Sequence, residues 1–216
     1  MHTPTGVQIH LDAGGVHAQI SQVAPRCGTS SSTAPPSSRP TPTTSPPLPP
    51  ARAWCWCLAQ PHPGRIWIDG DETRALAITE PKFRNAIHGL LRYTAYEIAE
   101  QSDTTVLLRA DVVPQIGYPP YLLETSVHYT LTPDGITVAH TITNRSGSAA
   151  PVAIGTHPFL TLSGGADPKT LLLQVPAATY FETDDRMLPI GGNRPCPRAP
   201  TCAPRTASAI CGWTPG

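Results

Sequence analysis

The sequence predicts an all-β protein, an antiparallel β-sandwich that is incomplete, and three observations carry that expectation. From Leu123 to Leu131 the apolar Val127, Tyr129 and Leu131 alternate with Ser126, His128 and Thr130, and a second run, Ile136 to Ile142, follows Thr132-Pro133-Asp134-Gly135. A period of two places alternate side chains on opposite faces, and Pro-Asp-Gly supplies turn chemistry, so this stretch reads as a hairpin with one buried face. Several further short β-branched or aliphatic runs are each bounded by Gly, Pro or Asp, and no stretch has the apolar spacing of a three-turn amphipathic helix.

The elements follow in order. Val7 to Ile9 and Gly15-Val16-His17-Ala18-Gln19-Ile20 read as short strands, a first hairpin within residues 1–25. Residues 26–64 form a Pro/Ser-rich segment expected to be irregular and exposed, mostly from 28 to 53. A β-sandwich core is expected over 65–191. It opens on Trp67-Ile68-Asp69-Gly70-Asp71, which has the polar turn of a hairpin. Thr94 to Gln101 fits a helical turn or a strand equally well, and Thr105 to Leu108 reads as a strand. The hairpin over 123–142 comes next, then the extended runs Val152 to Ile154 and Leu171 to Val175. Residues 192–216 are expected to be an irregular tail.

Charge and composition narrow the function. Fifteen basic and fifteen acidic side chains cancel in 216 residues, so no global field attracts nucleic acid or an anionic membrane, and a small neutral substrate is expected. Residues 1–25 lack a basic start followed by an apolar stretch. No later run approaches the ~18 apolar residues of a membrane helix, and a soluble, cytoplasmic protein is expected. The sequence carries no signal for an oligomeric state.

The 27 prolines are about twice ordinary usage and are unevenly placed. Between Arg26 and Arg65 there is no Asp or Glu, and from Gly192 to Gly216 acids are again absent, with Ile210 the only branched aliphatic. All six cysteines, Cys27, Cys55, Cys57, Cys196, Cys202 and Cys211, fall in these two segments. No CxxC pair or neighbouring His pair accompanies them, so neither a metal site nor a disulfide framework is expected.

Two histidines stand among residues that fix a backbone and present a ring. One lies in Asn85-Ala86-Ile87-His88-Gly89-Leu90, after Glu80-Pro81-Lys82-Phe83-Arg84; the other lies in Gly155-Thr156-His157-Pro158-Phe159-Leu160. Either alone is more often structural than functional. Together, and in this order, they resemble the N-x-x-H-G-L and G-x-H-P-(F/Y) signatures of aldose 1-epimerases (galactose mutarotases). Thr183-Asp184-Asp185-Arg186-Met187-Leu188-Pro189-Ile190-Gly191 is similar to the family's acidic turn, and Val138 to Asn144 to its strand ending in T-x-T-N. The resemblance covers Arg65 to Gly191 and implies a galactose mutarotase-like supersandwich that interconverts the α and β anomers of a monosaccharide. It implies that Asn85, His88 and His157 contact the sugar, that His157 is the general acid for the ring oxygen, and that His88 hydrogen-bonds near the same atom. No metal or organic cofactor is implied. The chemistry suits these residue types, because mutarotation needs a proton to leave the anomeric hydroxyl while another reaches the ring oxygen, and imidazole titrates near neutrality.

Three residues that the resemblance calls for have no counterpart: the Arg of an N-R-(I/L) motif before the first His, a sugar-binding Asp after the second, and a C-terminal Glu acting as base. Glu182, Asp184 and Asp185 are acids at hand, but they are expected to serve a surface turn. The anomalous segments suggest where the missing residues went. Leu58-Ala59-Gln60-Pro61-His62-Pro63-Gly64-Arg65 can be encoded so that skipping one base yields Trp-Pro-Asn-Arg-Ile-Arg-Asp, which contains the first motif. Ala207 to Gly216, read two bases on, can yield Ile-Gly-Asp-Leu-Arg-Leu-Asp-Thr-Gly, where Leu-Asp-Thr is how the family often presents its Asp. Both segments are therefore expected to be out of frame, which also accounts for their Cys, Trp, Pro and Arg bias, and this chain is expected to have little activity. Competing expectations are a non-catalytic carbohydrate-binding sandwich, a hexose-6-phosphate 1-epimerase using Arg84 and Arg92, and an interaction module whose Pro-rich segment binds a partner.

Overall fold

In a computed structural model of the chain, the described residues are 4–25, 27–31, 66–69, 72–118, 120–152, 154, 178–186, 188–192 and 194–195. Their strands, in chain order, are β1 (Gln8–Ala13), β2 (Val16–Ser21), β3 (Cys27–Ser31), β4 (Ile66–Asp69), β5 (Glu72–Ala75), β6 (Glu97–Gln101), β7 (Thr105–Val112), β8 (Leu123–Thr132), β9 (Gly135–Asn144), β10 (Thr179–Tyr180) and β11 (Arg194–Pro195). The chain divides into two units, Met1–Ala59 with His88–Leu160, and Gln60–Ile87 with Thr161–Gly216. Among the described residues no helix is long and apolar enough to cross a membrane.

In the first unit the predicted hairpin is present as β8 and β9, paired antiparallel from Leu123↔Asn144 to Thr132↔Gly135. The register leaves Pro133 and Asp134 as a two-residue turn, and Gly135 takes φ +147, a region that side chains avoid. Alternation on β8 buries Leu123, Thr125, Val127, Tyr129 and Leu131 on one face. β7 presents Val112, Leu108 and Val106 opposite Leu123, Val127 and Tyr129, and each such side chain contributes about 1.5–3 kcal/mol when withdrawn from water. The sheet runs in the order β6-β7-β8-β9. Thr94 to Gln101, helical turn or strand by sequence, contains strand β6, because its backbone pairs with β7, with a bulge between Ile98 and Glu100.

The first hairpin is also present. β1 and β2 join through Gly14 and Gly15, at φ +59 and +89, the two positive values that a tight hairpin turn requires. A Cβ on Gly14 would stand 3.1 Å from Pro133 Cγ. β3 adds to β2 to make a three-stranded sheet, so the residues just after position 26, expected to be irregular, include a strand at Cys27–Ser31. The rest of that Pro-rich segment, through residue 65, lies outside the described residues. Ile9, Leu11, Ala18, Ile20 and Cys27 are buried, and β1 and β2 lie against β8, so both sheets contribute to the core. The Asp12 amide donates to the Asp103 carbonyl and the Tyr96 amide to the Gln22 carbonyl, which stitches the sheet edges together. Burial pushes the Cys27 thiol up to about 11. Desolvation, then the neighbouring Cys27 and Tyr96, push the Tyr129 phenol upward as well.

Two features guide the chain beyond this core. Tyr118, fully buried, donates its hydroxyl to the Pro151 carbonyl at 2.7 Å and packs 4.9 Å from the Tyr121 ring. The Ser146 hydroxyl accepts the Leu122 amide at 2.7 Å. Val152 and Ile154, expected as a strand, are instead exposed and outside any strand. They follow the Pro151 held by Tyr118, and none of the described strands pairs with them. Leu171 to Val175 lies outside the described residues.

His140 on β9 stands opposite Val127, and burial lowers its pKa from the ordinary 6.5. In the window between that lowered value and 6.5 the unfolded chain binds a proton that the folded chain does not. Stability is therefore full above 6.5 and declines as pH falls through the window. Urea unfolding above and below 6.5 should show this loss, and His140→Leu should flatten it; an unchanged slope in the variant would refute the assignment.

In the second unit, β4 and β5 pair from Ile66↔Ala75 to Asp69↔Glu72, the hairpin expected around Trp67-Ile68-Asp69-Gly70-Asp71. β10 and β11 form a second two-stranded ribbon.

Candidate active site

Pro81 to Asn85 forms a closed turn. Arg84 takes φ +57 and donates its amide to the Pro81 carbonyl, and the Asn85 amide donates to the Glu80 carbonyl at 3.2 Å. In return the Asn85 carbonyl accepts the amides of Thr79 and Glu80 at 3.0 and 2.9 Å. The Thr79 hydroxyl reaches the Ile87 carbonyl at 3.3 Å, so the backbone is held up to the residue before His88.

His88 takes φ +67 and Gly89 φ +61. The left-handed region is uncommon for residues with a Cβ, His being among the more tolerant, and its occupation marks a backbone constrained by its surroundings. The ring is half-buried and its Nδ1 is shielded from solvent. On the same stretch the Arg92 guanidinium lies 5.2 Å from the centroid of the Tyr93 ring, while Arg84 is exposed.

Asn85, expected at the sugar, is buried, and its amide already has partners. Nδ2 donates to the Arg186 carbonyl at 2.9 Å and to Glu80 Oε2 at 3.4 Å, while Oδ1 accepts from Arg186 Nη2 at 3.3 Å. The acids of the Thr183–Gly191 segment are likewise occupied. Asp184 Oδ1 accepts the amides of Arg186 and Leu188, each at 2.9 Å, and Glu182 pairs with Arg194 at 2.6 Å. Asp185 is exposed. These are the surface-turn roles expected of them. His157 lies outside the described residues, so its placement relative to His88 is not described. Arg186 is the residue that sequence reasoning passed over: nothing at position 186 announces a partner 101 positions away.

The aldose 1-epimerase family model matches residues 52–205, more than two-thirds of the chain. The chain belongs to the aldose 1-epimerase family. The match begins 13 residues before Arg65 and ends 14 after Gly191, so it reaches into both acid-poor segments. An uncharacterized Escherichia coli protein, YihR, is 35% identical over 115 residues, 53% of this chain and 37% of that protein. Among solved structures, a galactose mutarotase-like protein from Clostridium acetobutylicum aligns with a TM-score of 0.67 at 17% identity. It covers 87% of this chain and 61% of its own. The GalM/aldose epimerase homologue from C. elegans aligns with a TM-score of 0.68 at 14% identity, covering 88% of this chain and 61% of its own. These likenesses establish the galactose mutarotase-like fold. The epimerase-family chain described here spans about three-fifths of the length of those solved relatives.

Proposed function

We propose that the chain carries part of an aldose 1-epimerase site for a neutral hexose such as galactose or glucose. The observation that carries this reading is His88, at φ +67 three residues after the bonded turn that ends at Asn85. In the proposed reaction a base removes the anomeric hydroxyl proton while His157 delivers one to the ring oxygen. The bond between C1 and that oxygen breaks, leaving an open-chain aldehyde. Rotation about C1–C2 and closure with the proton transfers reversed gives the other anomer. His88 hydrogen-bonds the sugar near the ring oxygen, and Asn85 supports the loop that presents it. The base has no good candidate in the acidic turn, since Asp184 and Glu182 are bonded to the turn and its neighbour. Low activity as the chain stands therefore accompanies the proposal.

Titration of galactose into the full chain, followed through the His88 imidazole resonances, tests it. Those resonances should move on binding, and His88→Ala should weaken binding roughly three- to tenfold, the worth of one neutral hydrogen bond. Binding unchanged by His88→Ala, or no binding at all, would overturn the reading.

A further inference from the structure

Among the described residues, Arg186 is a heavily bonded side chain outside any assigned role. Its Nε donates to the Phe83 carbonyl at 2.9 Å, and its Nη2 to the Arg84 carbonyl at 3.2 Å and to Asn85 Oδ1 at 3.3 Å. Its own carbonyl takes the Asn85 Nδ2 proton at 2.9 Å, and its own amide is held by Asp184. The contact is reciprocal, side chain to backbone in both directions. Three consecutive residues aim an oxygen at one guanidinium, and the planar fork with charge-assisted donors matches that set where an ammonium could not.

We infer that Arg186 is a positioning residue for His88, acting through the backbone of residues 83–87. Left to itself, the Pro81–Asn85 turn would not keep its shape. Arg84 occupies the left-handed region, which a side chain holds only where the surroundings over-determine it, and the part-buried Phe83 carbonyl needs a donor. Arg186 is that donor. The turn so fixed passes its register forward, because Asn85 pairs with Thr79 and Glu80 and Ile87 is bound by Thr79. His88, itself at φ +67, follows this bonded segment in the chain. The functional meaning of the inference rests on the proposed sugar-binding role of His88; its structural content does not.

The test uses the full chain, isotope-labelled on histidine and backbone amides, with Arg186→Met, Arg186→Lys and Arg186→Gly, all read without sugar. Exchange of the Asn85 amide should quicken by at least about tenfold in Arg186→Met, since charge-assisted bonds that fix the turn are gone. The His88 imidazole resonance should shift and split or broaden, while those of His10 and His128, exposed on β1 and β8, stay where they are. Arg186→Lys should resemble Arg186→Met, and ethylguanidinium added to Arg186→Gly should restore the single His88 resonance. An unmoved His88 resonance in Arg186→Met, or equal disturbance of all three histidines, would overturn the inference. A parent chain whose His88 ignores galactose would instead defeat the sugar-site proposal and leave these sugar-free results to decide the positioning role.

Discussion

Joining both acid-free segments back into frame, through the C-terminal Glu that the family resemblance calls for, is expected to speed galactose mutarotation by about 10² to 10⁴ over the chain as it stands, the usual worth of a positioned proton-transfer group. The sequence contains both histidines of the resemblance and shows no counterpart of its Arg, Asp and Glu. Polarimetry on freshly dissolved α-galactose compares the two proteins, and His157→Ala in the restored one should remove most of the gain. If the 216-residue chain already matches the restored protein, the base lies among the acids assigned here to the turn. Sugar binding without faster anomer exchange in both proteins would favour the non-catalytic sandwich. Reading the nucleotide sequence in three frames checks the premise directly.

Leu108→Ala should be the most damaging single core substitution on the β7 face, at about 2–5 kcal/mol. Leu108 is fully buried opposite Val127 and beside Ile98 on the neighbouring strand, and its place in an unbroken register with β8 limits how far the cavity can collapse. Against a typical total of about 5–15 kcal/mol, that loss would leave a substantial unfolded fraction. Urea unfolding followed by circular dichroism measures it. Val113→Ala, just beyond the strand and exposed, serves as the control and should stay within about 0.5 kcal/mol. A Leu108→Ala midpoint equal to the control would place the core elsewhere.

How much of this was legible depended on whether a residue's partner was near it in sequence. Alternation on β8 and the Pro133-Asp134-Gly135 turn are local signals, and so are Gly14 and Gly15 between two short apolar runs; both hairpins were readable. Thr94 to Gln101 was not, because β-branched and helix-forming residues mix there and only the pairing of Glu97–Gln101 with β7 decides it. β3 was illegible for a different reason. Cys-Gly-Thr-Ser-Ser has no strand pattern, yet its main chain pairs with β2 from Ile20↔Cys27 to Val16↔Ser31, and ladder bonds are made by backbone groups that every such residue carries. At the candidate site the motif marked His88 and Asn85 as worth attention but could not say what each does. Asn85 is engaged by Arg186, whose distance along the chain hides it from any window-based reading.

That distance has a temporal side. During synthesis Asn85 leaves the ribosome 101 residues ahead of Arg186, and at roughly 5–20 residues per second it waits on the order of 5–20 s for its partner. Closing a loop of that length costs about 4 kcal/mol in chain entropy. The strands β6 to β9, each hydrogen-bonded to its immediate successor, need no such wait and can form as they emerge. The loop carrying His88 is therefore among the last parts of the chain to acquire its final shape, long after the meander that follows it in sequence.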